Sequence, residues 1–381
     1  LNLKIRYLST KAAFPKSSAR IESTDVPCIV QMQHMLARYK DRPGGVASLA
    51  QGIVHWGPPE EAMEAAQKAI SDSTMNLYGP VDGSPELKQA IQDKLESENN
   101  IRNSKVMVTM GANQAYTNLV IALVDSGDPT ILFKPYYFNH HMCLQMTGGA
   151  HNVILGGVTP DSLMPDSKWL EKTLESKLAA GSPVKMVTIV NPCNPTGVLI
   201  PGEKLREISD ICERFGTWLV VDNTYEHFTY PEITGKDNAM HECVEGDNVV
   251  NIFSFSKAYG LMGWRIGYIA FPENLVEPLV KVQDTIPICP NILAQKVALG
   301  ALKAGRGWVE QKVSSLVANQ KYMLEALSPL QEFGQIWGGS GAIYLMAPLP
   351  PSHQDDFKVV QWLAGEHGVA VIPGSACGKS G

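Results

Sequence analysis

Val249-Val-Asn-Ile-Phe253-Ser254-Phe-Ser256-Lys257 and, a few residues on, Gly263-Trp-Arg265-Ile-Gly267-Tyr-Ile-Ala270 form the stretch that decides the fold. Val249–Phe253 is short, mostly apolar and without clean alternation, as in a strand covered on both faces. It stops at a hydroxyl, Ser254, and a lysine follows three residues later. Gly267–Ala270 reads as the next strand. Working back towards the N-terminus, the same unit recurs. Val106–Met110 reads as a strand broken by Gly111, then Ala112–Val124 as a helix. Thr130–Phe133 is a short strand ending at Lys134-Pro135, and Val184–Val190 is another, stopped by Asn191-Pro192. Glu203–Phe215 has helical spacing, with Leu205, Ile208, Ile211 and Cys212 on one face. Trp218–Val221 is a strand ending at Asp222. This rhythm predicts an α/β fold: a large domain with a mostly parallel sheet covered by helices on both faces.

After Pro272 the pattern changes. Helical stretches fill Glu273 to about Leu330, broken by Pro287 and Pro290. Short glycine-flanked strands follow at Gly341–Met346 and Val369–Ile372, with a helix over Asp355–Gly365 between them. A smaller α+β domain is therefore expected. The expected divisions are 1–46 (an N-terminal arm joining the small domain), 47–280 (the large domain) and 281–381 (the small domain).

Composition limits the function classes. In 381 residues, 44% are hydrophobic and 18% charged, enough for a packed core and too apolar for a disordered chain. The net charge of −6 argues against a nucleic-acid partner or an anionic membrane surface. No apolar run approaches the ~18 residues of a membrane span. Seven dispersed cysteines without a C-x-x-C pair read as free thiols, which suits a cytoplasmic location. His140 and His141 are adjacent and would point to opposite faces of a strand, so no metal site is expected. The N-terminus offers two readings. Lys4, Arg6, Lys11, Lys16 and Arg20 precede the first acid, Glu22, among several hydroxyl residues. Residues 1–21 are either a plastid or mitochondrial transit peptide or a solvated tail.

In an open parallel sheet, ligands bind beyond the carboxyl ends of the strands. The unusual residues sit there: Gly111-Ala112-Asn113, Pro135-Tyr136-Tyr137, Asn191–Gly197, Asp222–Tyr225 and Ser254–Lys257. Most lysines are solvated surface groups, but one at the end of a buried strand loses its proton readily and can attack a carbonyl. Arg265, a planar always-charged fork, suits a phosphate, and Ser254 offers it a hydroxyl. Asn191-Pro-Cys-Asn194-Pro-Thr-Gly197 is a rigid turn that aims the Asn194 amide into the crevice. Asp222, at a buried strand end, calls for a cationic partner. Tyr225 is placed to reach the same ligand.

The ordered set N-P-x-N-P-T-G, D-x-x-Y, S-x-S-K and G-W-R-x-G, with 28 residues from Asn194 to Asp222 and 35 more to Lys257, resembles the fold type I pyridoxal-phosphate enzymes. It is most similar to the class I/II aminotransferases, from Leu49-Ala-Gln-Gly52 to Pro373-Gly374. Gly52-Ile-Val-His-Trp56, Pro135–Asn139 and Val221–Tyr225 resemble the plant-type aromatic and methionine aminotransferases. The resemblance implies pyridoxal 5'-phosphate held by Lys257 as a Schiff base, and a ping-pong exchange of an amino group between an amino acid and a 2-oxo acid. It implies that Asp222 pairs with the ring nitrogen, that Asn194 and Tyr225 bond the ring oxygen, and that Tyr137 stacks on the ring. Ser254, Arg265 and the Ala112 and Asn113 amides would hold the phosphate at a helix N-terminus. Gly52, Trp56 and Asn194 would face the substrate, with packing between domains as the other reading of Trp56. Tyr78 matches a tyrosine that reaches the neighbouring subunit, which implies a homodimer with shared sites.

Two departures stand out. The family has an arginine for the substrate carboxylate a few residues after I-P-G-S. Ile372-Pro-Gly-Ser375 is present, but no arginine follows it before Gly381. A truncated small domain, continued in a longer native chain, is the expectation. Asn113 replaces the Ser, Thr or Lys of many relatives, which a backbone contact tolerates. Gly374-Ser-Ala-Cys-Gly378-Lys379-Ser380 imitates a P-loop but has three residues between its glycines where four are needed. The alternatives to an aminotransferase are a β-lyase of the cysteine-conjugate type, a cyclopropane-forming synthase on the same cofactor, and a non-catalytic relative of the fold.

Overall fold

The structure, a computed structural model, describes residues 14–149, 152–231 and 240–378. Residues 1–13 of the basic N-terminal stretch lie outside the described residues, as do Lys379 and Ser380 of the P-loop imitation.

The expected apolar runs of the large sheet become strands, and three strands that the sequence did not signal form at residues 47–48, 153–156 and 337–338. In chain order they are β1 (Ala47–Ser48), β2 (Lys105–Thr109), β3 (Thr130–Phe133), β4 (Val153–Gly156), β5 (Met186–Val190), β6 (Trp218–Asp222), β7 (Val249–Ser254), β8 (Gly267–Phe271), β9 (Trp337–Gly338), β10 (Leu345–Met346) and β11 (Val369–Ala370). Seven of them form one sheet in the order β2-β8-β7-β6-β5-β3-β4. β8 runs antiparallel to β2 and β7; the other pairs are parallel.

Alternate residues along a strand feed opposite cores, as the period of two requires. Val220 packs with the Ala112–Leu123 and Val276–Thr285 helices, while Leu219 and Val221 pack with the Ser167–Ala179 and Gly202–Arg214 helices. Both faces of the sheet are therefore covered, which is why the central strands carry no polar alternation. The Pro85–Asn99 helix shows the local rules at work. Ser84 Oγ accepts the Leu87 N–H at 3.3 Å, and Pro85 occupies the first turn, where its missing N–H costs nothing. Leu87, Ile91 and Leu95 are buried on one face, and Asn100 ends the helix in the left-handed region.

The Ile292–Ser314 helix packs along the Glu60–Ile70 helix, and Ala294, Val297, Ala298 and Ala301 share a core with Leu87, Ile91, Val106 and Phe253. The core of the sheet unit thus runs on through Val313, past residue 280. The remaining C-terminal residues build a smaller layer with the N-terminal segment. β1 pairs in parallel with β11, and Met32 and Met35 of the Cys28–Ala37 helix pack with Val360, Ala364 and Ala370. β9 and β10 form an antiparallel pair. Of the strand expected over Gly341–Met346, only Leu345 and Met346 pair in a sheet. Residues 341–344 leave it and dock on the large sheet unit. There Gly341 N–H bonds Gly197 O, and Ala342 N–H bonds Phe228 O, both at 2.9 Å.

Candidate active site

The strand ends converge on one crevice. At the end of β2 the chain turns through Gly111, whose φ of +86° few side-chain-bearing residues adopt. This opens the Ala112–Leu123 helix with its first amides free. Arg265, held in the left-handed region at φ 53°, brings its guanidinium against Gly111; a Cβ there would lie 2.5 Å from Nη2. Gly267 lets β8 approach the same turn, for a Cβ at 267 would lie 3.1 Å from the Ala112 nitrogen and 2.8 Å from Phe253 O. Arg265 Nη1 donates to Met262 O at 2.9 Å, and among the described residues no carboxylate pairs with Arg265. Ser254 Oγ accepts the Ser256 N–H at 3.1 Å, fixing the turn before Lys257.

Lys257 Nζ donates to Gly52 O. Burial, with Arg265 beside it, lowers the Lys257 ammonium to about 8. Near neutral pH about a tenth of it is then the neutral, nucleophilic amine, against well under a thousandth for an ordinary lysine. The corner is cationic and uncompensated, which suits an anion.

The opposite side is acidic. Asp222 is 4% exposed at the end of β6. Oδ1 accepts the Thr224 N–H at 3.0 Å and the Thr224 hydroxyl at 2.7 Å, and Oδ2 lies 3.2 Å from His140 Nε2. His140 is itself buried and stacks on Tyr116 with centroids 4.0 Å apart. No role was expected for His140. Phe138–Leu144 is a helix and not a strand, so His140 turns inward while His141 faces Asp25 at 3.4 Å.

Between these ends lie Tyr137, Asn194 and Tyr225. The Tyr137 hydroxyl accepts the Asn139 amide at 2.8 Å, and its ring meets His140 edge-on. Asn191 fixes the Asn194 loop by exchanging two bonds with the Ile200 backbone, at 2.8 and 3.1 Å. Tyr225 is 3% exposed, and its hydroxyl touches that of Tyr344. Burial raises the phenol pKa of Tyr137, Tyr225 and Tyr344, so all three are neutral hydroxyls. Tyr344 is the second residue that sequence reasoning missed; it sits in an apolar run with no local signal.

Trp56 lies against the turn that carries Lys257. It is 6% exposed, its Nε1 donates to Ala258 O at 3.2 Å, and its ring stacks on Phe228. With its polar atom satisfied, it braces the turn next to Lys257. Gly52 does reach the crevice, through its carbonyl and because a side chain there would collide with the Tyr344 hydroxyl. Ala112 and Asn113 stand at the crevice with their helix. Tyr78 does not join the other site residues within this chain; it is 82% exposed, beside Leu77 at 67%. Among the described residues no group of His, Cys, Asp or Glu is arranged to hold a metal, and no helix is long and apolar enough to cross a membrane.

The comparisons with known proteins agree with this geometry. The profile of the family "Aminotransferase class I and II" matches residues 45–381, and the chain belongs to that family. An aromatic aminotransferase of Arabidopsis thaliana is 50% identical over 373 residues, covering 97% of this chain and 91% of the relative. An aspartate aminotransferase of Pyrococcus abyssi is 30% identical, covering 88% and 85%. The solved structure of a single mutant of Thermus thermophilus aspartate aminotransferase superposes with a TM-score of 0.86 at 26% identity, covering 97% of this chain and 94% of that one. The protein is a pyridoxal 5'-phosphate-dependent aminotransferase of the fold type I class, working on an amino acid and a 2-oxo acid. The crevice fits that cofactor: an uncompensated cationic corner beside free helix amides for the phosphate, a lysine of lowered pKa, and a buried carboxylate opposite for the ring nitrogen.

Proposed function

We propose that the chain moves the amino group of an aromatic amino acid, or of methionine, to a 2-oxo acid, as a homodimer. The observation that carries this reading is the half-identity to an aromatic aminotransferase along nearly the whole chain. Three phenol rings around the crevice, Tyr137, Tyr225 and Tyr344, support it. The cofactor supplies an aldehyde carbon and an electron-accepting ring. We assign its phosphate to Arg265, Ser254 and the Ala112 and Asn113 amides. Tyr137 would cover the ring, and Asn194 and Tyr225 would bond its oxygen. Asp222, steadied by His140 and Thr224, would hold the ring-nitrogen proton. Lys257 Nζ would hold the cofactor and, once the substrate amine has displaced it, would carry the proton between the substrate Cα and the cofactor's aldehyde carbon.

A panel of amino donors against 2-oxo acid acceptors tests the substrate class. Aromatic donors and methionine should give the highest kcat/KM; a preference for aspartate over all of them would overturn the proposal. The dimer rests on the exposed Tyr78 and Leu77, with Ile286 and Ile288 also exposed. Mixing Lys257→Ala subunits with Tyr78→Ala subunits should restore activity above either parent, whereas a fully active monomer would overturn it. A cytoplasmic location is proposed alongside. Import of a reporter carrying residues 1–21 into plastids or mitochondria would replace it.

A further inference from the structure

Tyr344 belongs to neither the strand-end loops nor the expected set of site residues, yet its hydroxyl reaches three of them. Three contacts define its place. Asn194 Nδ2 donates to Tyr344 Oη at 3.4 Å, Tyr344 Oη touches Tyr225 Oη, and the missing side chain of Gly52 leaves the space that the hydroxyl fills. Its backbone has little freedom. Gly341 and Ala342 are tied to Gly197 O and Phe228 O, Tyr230 Oη donates to Ala342 O at 2.8 Å, and β10 begins at the next residue. The ring meets that of Tyr225 edge-on, with centroids 5.3 Å apart.

Either hydroxyl can be the donor where the two phenols meet. With the Asn194 amide donating to Tyr344 Oη, one order has Tyr344 donate its own proton to Tyr225 Oη. Tyr225 then directs its proton onward into the crevice. A hydroxyl that accepts a hydrogen bond becomes a stronger donor, because the bonds in such a chain polarise one another.

We propose that Tyr344 is a positioning residue for the amino-transfer reaction: a donor chain running Asn194, Tyr344, Tyr225 fixes and strengthens the proton that Tyr225 offers to the ring oxygen of the cofactor. The inference rests on the reading of the crevice as the pyridoxal-phosphate site. It adds a residue from the small C-terminal layer to a set otherwise drawn from the sheet unit. A strong donor at the ring oxygen lowers that oxygen's negative charge and so weakens its hold on a proton at the Lys257 nitrogen. Losing the chain should therefore raise the pH at which that nitrogen gives up its proton.

The experiment is an absorbance titration of the holoenzyme from pH 5 to 10, with Tyr344→Phe, Tyr225→Phe and the double variant, each checked for thermal unfolding. Tyr344→Phe should move the midpoint of the visible band upward by about half a pH unit, less than Tyr225→Phe. The double variant should match Tyr225→Phe alone, since one chain is cut in both. kcat should fall several-fold in Tyr344→Phe, with KM for the amino donor within twofold. An unmoved or lowered midpoint, or additive shifts in the double variant, would overturn the proposal. Lys257→Ala separates the two levels. A pH-dependent band that survives Lys257→Ala overturns the site reading and the chain with it. A band lost in Lys257→Ala but unmoved in Tyr344→Phe overturns the donor chain alone.

Discussion

Lys94 and Lys257 are both withdrawn from solvent, and their surroundings are opposite. Lys94 Nζ is 2.6 Å from each carboxylate oxygen of Glu226 and 2.8 Å from Asn99 Oδ1, and it lies over the Phe253 ring. Every proton of its ammonium has a partner. Lys257 has one carbonyl, that of Gly52, and an arginine for a neighbour. A buried cation with a full set of acceptors holds structure together; the same cation without them is left to react. The difference lies in which partners each pocket provides, since the side chain is identical.

The sharpest way to break this contrast is to remove each amine. Lys257→Ala should cut turnover by at least about 10³-fold, with little change in melting temperature, because no ion pair is lost. Borohydride reduction of the holoenzyme should fix the cofactor to Lys257, and label recovered on Lys94 would reverse the assignment. Lys94→Met should do the opposite. It strands the Glu226 carboxylate in the interior and should cost about 3–5 kcal/mol in urea unfolding, with the double variant Lys94→Met, Glu226→Gln recovering much of it. Unchanged stability in the single variant would mean that Glu226 finds another cation.

The acid end of the crevice gives a smaller effect. Asp222→Asn keeps the shape and removes the charge. It should retain cofactor while losing at least about 10²-fold in kcat, or about 2.7 kcal/mol. Near-normal kcat would move the control of the ring nitrogen elsewhere.

The smallest effect is the response of the Lys94 cluster to pH. Burial holds the His227 and His241 imidazoles at about 4, below their ordinary 6.5, against the pull of Glu226. The unfolded chain therefore takes up their protons first, and stability should fall as pH drops from 6.5 towards 4, by up to about 1.4 kcal/mol per pH unit per histidine. Glu226 is lowered to about 2 because the attraction of Lys94 and the two histidines exceeds its burial penalty. Its stabilisation is complete above its ordinary 4.5 and is lost as pH falls towards 2. Urea unfolding at pH 7, 5.5 and 4.5 checks the first stage; His227→Gln should flatten the slope, and a curve flat to pH 4.5 would break the argument.

The strand-end residues were legible because each follows an apolar run. Lys257, Asp222 and Asn194 announce themselves by interrupting a pattern. The residues that come from elsewhere do not. Tyr344 lies 119 positions after Tyr225, its hydrogen-bonded neighbour, in a segment that reads as an ordinary strand. His140 carried no such signal, for nothing in the sequence pairs a residue of the Phe138–Leu144 helix with Asp222 at the end of a later strand. The Ile292–Ser314 helix was given to the smaller unit because the strand–helix rhythm ends after Pro272, although Ala294, Ala298 and Ala301 pack into the core of the sheet unit. For Trp56 the sequence left substrate contact and packing open, and nothing in it tells that the indole N–H is taken by Ala258.

The cradle at Gly111 and Gly267 has a consequence for how this protein can change. At 267 the wall is main chain, and any side chain would strike Phe253 O and the Ala112 nitrogen; at 111 a side chain would strike the Arg265 guanidinium and would need a backbone angle that other residues resist. Substitutions there have nowhere to go, so the anion-holding half of the crevice is frozen against drift. The other half, where Tyr344 fills the gap beside Gly52, is bounded by side-chain atoms that can be exchanged one for another. New substrates can be reached by trading those atoms while the cradle stays the same, and a library built at 344 and its neighbours should yield altered preferences where one built at 111 and 267 yields only dead protein.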